Sequence, residues 1–179
     1  MALSPHIALL RAVNVGGRKA TSADLQALMA ELGFEAGQTL LQSGNLVFRS
    51  PRTGAALEAE IEQAFADRFG FASDVLARTA AQWRAIVAAS PHRQMAKDDP
   101  SHLVVMPLKS APTAAALAGL QSAIQGREVV AAVGRELFIT YPDGIGTSKL
   151  TGAVIERRLG VRGTARNWNT VTKLAAMLD

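Results

Sequence analysis

Past Pro100 this chain starts over. The stretch Ser90-Pro91-His92-Arg93-Gln94-Met95-Ala96-Lys97-Asp98-Asp99-Pro100 is polar and bracketed by prolines, and it reads as a linker. On either side of it the same order of apolar patterns occurs, so the fold must accommodate a tandem arrangement.

In the first half, His6-Ile7-Ala8-Leu9-Leu10-Arg11 is an apolar run too short for a helix and reads as a buried strand. Thr21 with Asp24 three residues on resembles a capping box, and Leu25, Leu28, Met29 and Leu32 follow at helical spacing up to Gly33. Thr39-Leu40-Leu41-Gln42, a Ser-Gly-Asn turn and Leu46-Val47-Phe48 predict a hairpin. Leu57, Ile61, Phe65 and Phe69 mark a helix ending at Gly70. A strand over 73–77 and a helix over 80–89 complete the half.

The second half opens with the strand Leu103-Val104-Val105-Met106 and an alanine-rich helix over 113–124. Two strands then flank Gly134-Arg135, a hairpin signal. A helix carrying Leu150, Val154, Ile155 and Leu159 stops at Gly160, and a short segment over 161–165 leads into a last helix. Each half is thus β-α-β-β-α-β followed by a helix, which predicts an α+β fold of two tandem ferredoxin-like plaits. The domains expected are residues 1–95 and 96–179. The first strand of each half is apolar on both of its alternating faces, so both expect cover.

Composition narrows the function classes. With 49% hydrophobic residues and 19% charged, the chain has an ordinary globular balance. No apolar run approaches the ~20 residues of a membrane helix. Met1-Ala2-Leu3-Ser4-Pro5-His6 lacks the basic region of a signal peptide. Cysteine is absent, which excludes disulfides, thiolate zinc sites and cysteine nucleophiles. The expectation is a soluble cytoplasmic protein without a membrane partner; the oligomeric state stays open. His6, His92 and His102 stand apart with no metal-ligand spacing, so neither a metal nor a cofactor is expected. Net charge is +4 and the isoelectric point is near 10.0. That suits an anionic partner, but the basic residues are scattered, with short clusters at Arg18-Lys19, Arg157-Arg158 and Arg162/Arg166.

Four motifs carry candidate chemistry. Thr164-Ala165-Arg166-Asn167-Trp168-Asn169-Thr170 falls where a loop becomes a helix, beside unpaired backbone N–H groups. Arg166 offers a planar cation for phosphate or carboxylate and Asn169 a polar edge. Asn167 reads better as a helix cap and Trp168 as a core anchor. In Arg11-Ala12-Val13-Asn14-Val15-Gly16-Gly17, a strand runs into an asparagine and paired glycines. This could form an anion nest from Arg11, Asn14, Gly16 and Gly17, or be a loop in which Arg11 is salt-bridged at a strand end. Gly144-Ile145-Gly146-Thr147-Ser148-Lys149 lacks Walker A spacing. It remains a weak anion site through Lys149, or a turn with Ser148 as helix cap. Gln42-Ser43-Gly44-Asn45 has no nucleophile-elbow pattern; Ser43 and Asn45 are site candidates, although a tight hairpin turn explains them fully.

These motifs resemble the DUF1697 family of bacterial proteins of unknown function. The run Ile7 to Gly17 is similar to the family's opening, and Gln42-Ser43-Gly44-Asn45-Leu46-Val47-Phe48 to its second block. Tyr141-Pro142-Asp143-Gly144 with Ser148-Lys149-Leu150 resembles the third, and Thr164 to Val171 the fourth. Ala12 stands where the family usually has glycine. The resemblance implies a duplicated α/β plait; it implies no activity and carries over no catalytic residue.

Three functions compete. The first is binding of, or catalysis on, a small anionic or nucleotide-like ligand in the cleft between two plaits, with Arg11, Asn14, Lys149, Arg166 and Asn169 converging on it. The second is nucleic-acid binding, favoured by the basic charge. Its weakness is the strands, where Phe48 is the single aromatic of the first half and Phe138 and Tyr141 fall on opposite faces. The third is an interaction module whose polar blocks serve the fold alone. Whether the protein is an enzyme stays open.

Overall fold

The computed structural model describes residues 2–42 and 44–179. They divide into two compact units, Met1–Ala85 with Leu174–Asp179, and Ile86–Lys173. In the first, β1 (Ser4–Leu10), α1 (Ser22–Glu31), β2 (Glu35–Leu40), β3 (Asn45–Ser50), α2 (Gly54–Phe69) and β4 (Val75–Thr79) build a sheet of order β2-β3-β1-β4. After α3 (Ala80–Ala89) and α4 (Arg93–Asp98), the second unit repeats the plan. Its elements are β5 (Leu103–Pro107), α5 (Ala114–Ser122), β6 (Val129–Val133), β7 (Glu136–Thr140), α6 (Gly152–Leu159) and β8 (Arg166–Asn167). Their sheet order is β6-β7-β5-β8, and α7 (Trp168–Ala176) follows. All pairings in both sheets are antiparallel. The fold is α+β, two ferredoxin-like plaits in tandem.

Local chemistry sets these elements. Thr21 and Asp24 form a reciprocal capping box at the start of α1. Gly70 and Gly160 end α2 and α6 in the left-handed conformation, at φ +73° and +66°. Gly134, at φ +59°, and Arg135 close the hairpin that pairs Val133 with Glu136.

Three local expectations are corrected. The proline-bracketed stretch is helical: α4 lies between Pro91 and Pro100, and a 3-10 turn spans Pro100–His102. The cap of α6 is Thr151, whose side chain accepts from the Val154 N–H; Ser148 instead accepts from the Leu150 N–H at 3.0 Å. Arg166 and Asn167 are not loop residues but strand β8, paired with Val105 and Val104 of β5. Asn167 also caps α7, accepting from the Thr170 N–H at 3.0 Å, and Trp168 is buried, as the helix reading required.

The core of the first unit lies between β1, β3 and β4 on one side and α1 and α2 on the other, with Ala8, Leu10, Leu28, Phe48, Ile61 and Phe65 buried together. Val104, Met106, Leu120, Ile139 and Ile155 do the same in the second. The alternate residues of the central strands, Ile7, Leu9, Leu103 and Val105, are also fully buried, as an all-apolar strand demands.

Helix side chains satisfy the sheet edges. Glu58 and Glu62 of α2 accept from the Ala77 and Val75 N–H groups of β4, each at 2.8 Å. Gln121 of α5 donates to the Val130 carbonyl of β6 at 2.8 Å. Three edge groups of β4 and β6 that could template another strand are thereby occupied.

Two measurements test this packing. Gly163 bridges to Leu108, and a Cβ there would lie 2.5 Å from the Pro107 carbonyl oxygen, whereas one on Gly119 in α5 meets nothing within 4 Å. Urea unfolding should show Gly163→Ala losing about 1–3 kcal/mol and Gly119→Ala gaining about 0.5–1 kcal/mol. His6 on β1 donates from Nδ1 to the Ser4 carbonyl at 2.8 Å, and its buried Nε2 has no partner among the described residues. Burial holds its pKa, and that of His92, below the usual 6.5. The unfolded chain therefore takes up protons first on acidification, and stability present above about pH 6.5 is lost as pH falls below it. Thermal melts between about pH 7.5 and 5 should show that loss, and His6→Leu should reduce it to the share due to His92.

Candidate functional site

The sequence-predicted residues fall into two groups. Arg11, Asn14, Gly16, Gly17 and Asn45 belong to the first unit, and Lys149, Arg166 and Asn169 to the second. Ser43 lies outside the described residues.

In the first unit the loop after β1 and the β2–β3 turn are tied together. Asn14, at φ +61°, accepts from the Ala20 N–H at 2.9 Å and donates to the carbonyls of Ala20 and Gln42. Its amide is taken up by backbone. The Leu10 N–H bonds the Gly44 carbonyl at 2.8 Å, and a Cβ on Gly44 would meet Leu10 at 2.8 Å, so this turn needs glycine for space as well as for φ. Asn45 is fully buried and donates to the Leu40 carbonyl at 2.8 Å. Arg11 pairs with Asp74 at 3.8 Å, and its carbonyl accepts from Ser73. Gly16 and Gly17 are exposed at positive φ.

In the second unit, Arg166 is buried and donates to Thr164 Oγ1 and the Ala165 carbonyl, each at 2.9 Å. Burial lowers its pKa to about 10, so it stays cationic at neutral pH. Asn169 is exposed on α7.

Lys149 lines a cavity of about 520 Å³ that neither Arg166 nor Asn169 lines. Three segments build it: the chain between α5 and β6, the loop 143–150 and α6. Tyr141 anchors that loop. Its buried hydroxyl donates to the Leu150 carbonyl at 2.9 Å, and desolvation raises its pKa to about 12. Ser148 donates to the Glu128 carboxylate. Arg127 binds Asp143 through two nitrogens, Nε at 3.0 Å, which holds the Asp143 pKa below its ordinary value. Lys149 Nζ reaches Gln125 Oε1 at 3.4 Å, a weak contact.

The cavity's remaining charged residues, Arg157 and Arg158, come from α6. Both are exposed and have no ion-pair partner among the described residues. In the sequence they form a short basic cluster outside the four motifs. The available signal was Arg158, which follows Val154 by four positions and Ile155 by three and so borders the apolar side of α6. Ile124, Leu150 and Val154 supply an apolar wall. Three cations beside such a wall, in a volume typical of small-molecule sites, suit an organic anion. Among the described residues no three histidine, aspartate or glutamate side chains gather to hold a metal ion. No helix there is long and apolar enough to cross a membrane.

The class is thus an α+β protein of two antiparallel plaits, one of which carries a basic cavity. The chain belongs to the family described as "Protein of unknown function (DUF1697)", whose model matches residues 3–138. No curated protein matches the chain. Among solved structures, it is similar to the conserved bacterial protein SP0830 from Streptococcus pneumoniae. The identity is 22% and the TM-score 0.80, over 99% of this chain and 100% of that one; at this identity the likeness shows the fold alone. A candidate chlorite dismutase, TA0507, matches at 11% identity over 98% of this chain and 100% of that one, but a TM-score of 0.26 carries no argument.

The first-unit clamp has a direct test. Asn14→Ala removes hydrogen bonds to three backbone groups, two of them on the buried Ala20, and places alanine at positive φ. Urea unfolding should show a loss of about 1–3 kcal/mol. A change below about 0.5 kcal/mol would show that the two loops hold without it.

Proposed function

We propose that the protein binds a small anionic ligand of nucleotide size in the cavity of its second unit. The observation that carries this is the meeting of Lys149, Arg157 and Arg158 around about 520 Å³ of partly apolar space, with both arginines unpaired among the described residues. The arginines offer planar donors to phosphate or carboxylate, Lys149 adds a point charge, and the apolar wall accepts the organic body. A cytoplasmic location belongs with this reading. Nucleic-acid binding would draw on the same cations, but Phe48, Phe138 and Tyr141 are buried and offer no stacking surface on the sheets.

Thermal shift and calorimetry with inorganic phosphate, nucleotides and phosphorylated sugars test the proposal. A ligand at 100 times its Kd should add about 2.7 kcal/mol of stability. Arg157→Ala/Arg158→Ala should abolish the shift and Lys149→Ala weaken it, with little change in the unliganded melt because all three side chains lie at the surface. If no compound binds, or the double variant binds as well as the parent, the proposal fails.

A further inference from the structure

We infer that the ligand of this cavity is of the dinucleotide class, a central pyrophosphate or phosphodiester with an organic group on each side. This rests on the anion reading above. Arg157 and Arg158 line not one concavity but two. The second, of about 430 Å³, runs between α5 and α6, and Ala115, Ala116 and Gly119 form the rest of its lining. The two arginines are therefore a shared wall with space on either side, and an anion held by both leaves its substituents free to extend in two directions.

The two spaces differ as two organic groups would require. The first combines an apolar wall with Gln125 and Glu128, able to accept and donate hydrogen bonds to a polar ring or a sugar hydroxyl. The second has a floor of methyl groups and bare backbone, and nothing fills the direction in which a Gly119 side chain would point. A running nucleic acid fits less well. Glu128 and Asp143 also line the first cavity, so further phosphates entering it would be repelled by carboxylates, whereas an uncharged nucleoside can donate hydrogen bonds to them.

Calorimetry on the full chain with adenosine monophosphate, diadenosine diphosphate and a short single-stranded oligonucleotide tests this. Diadenosine diphosphate should bind about tenfold or more tightly than the monophosphate. Gly119→Leu, which adds a side chain into the second space where a Cβ meets nothing within 4 Å, should remove that advantage and leave monophosphate affinity unchanged. Arg157→Ala/Arg158→Ala should weaken both ligands. Monophosphate binding without a dinucleotide advantage would overturn this inference and leave the anion site standing. So would a Gly119→Leu variant that keeps the advantage, or an oligonucleotide that binds more tightly than the dinucleotide. Absence of binding by every probe would overturn the anion site and this inference together.

Discussion

The central strands β1 and β5 set the conditions for everything else. Each is hydrogen-bonded on both sides and buried on both faces, Ile7 to Leu10 and Leu103 to Met106 being almost wholly withdrawn from water. Burying an Ile, Leu, Val or Met of these strands contributes roughly 1.5–3 kcal/mol, so each run is a large favourable term for its sheet. The same burial removes water as a partner for every backbone group nearby. That is why the edges are satisfied by side chains of the covering helices, Glu58 and Glu62 for β4 and Gln121 for β6. Arg78, itself buried on β4, lies 3.7 Å from Glu58, so the carboxylate that caps the strand also balances its charge.

What was legible in the sequence follows from the length over which a signal repeats. The period-2 and period-3.6 runs of most strands and helices extend over five residues or more, and their order was legible, down to the capping box at Thr21 and the stops at Gly70 and Gly160. The pattern puts β2 at residues 39–42, but it runs Glu35–Leu40, because Leu41 and Gln42 belong to the turn. β8 is two residues long, too short for any period, and so Arg166 read as a loop residue. The stretch between Pro91 and Pro100 misled for another reason. Prolines break helices from within but are tolerated at their borders, and Arg93 to Asp98 contains good helix formers. The same two residues that suggested a linker here delimit a helix.

The candidate site was less legible because its parts come from separate segments. Lys149 stood out through its glycine-rich loop. Arg157 and Arg158 are exposed residues of an amphipathic helix, where charged residues are the rule, and a basic pair in such a helix does not by itself distinguish a solvated surface from one that borders a cavity. Asn14 shows the opposite case. Its setting of glycines looked chemical, yet its amide bonds Ala20 and Gln42, the latter 28 residues away, and no local pattern announces such a contact.

That contrast bears on how the recognisable blocks should be read. Asn14, Gly44 and Asn45 each meet a geometric demand: a clamp between two loops, a close approach to Leu10, a buried bond to Leu40. Residues held in this way serve the fold, and the Asn14 amide could turn to a ligand only by giving up its backbone bonds. Lys149, Arg157 and Arg158 are the reverse. Stability at their positions comes from Leu150, Ile155 and Leu159, which face the core, while the cations extend outward and contribute little to it. A group that the fold does not require is one that a ligand can use, and the exposed cations of the second unit meet that condition where Asn14 and Asn45 of the first do not.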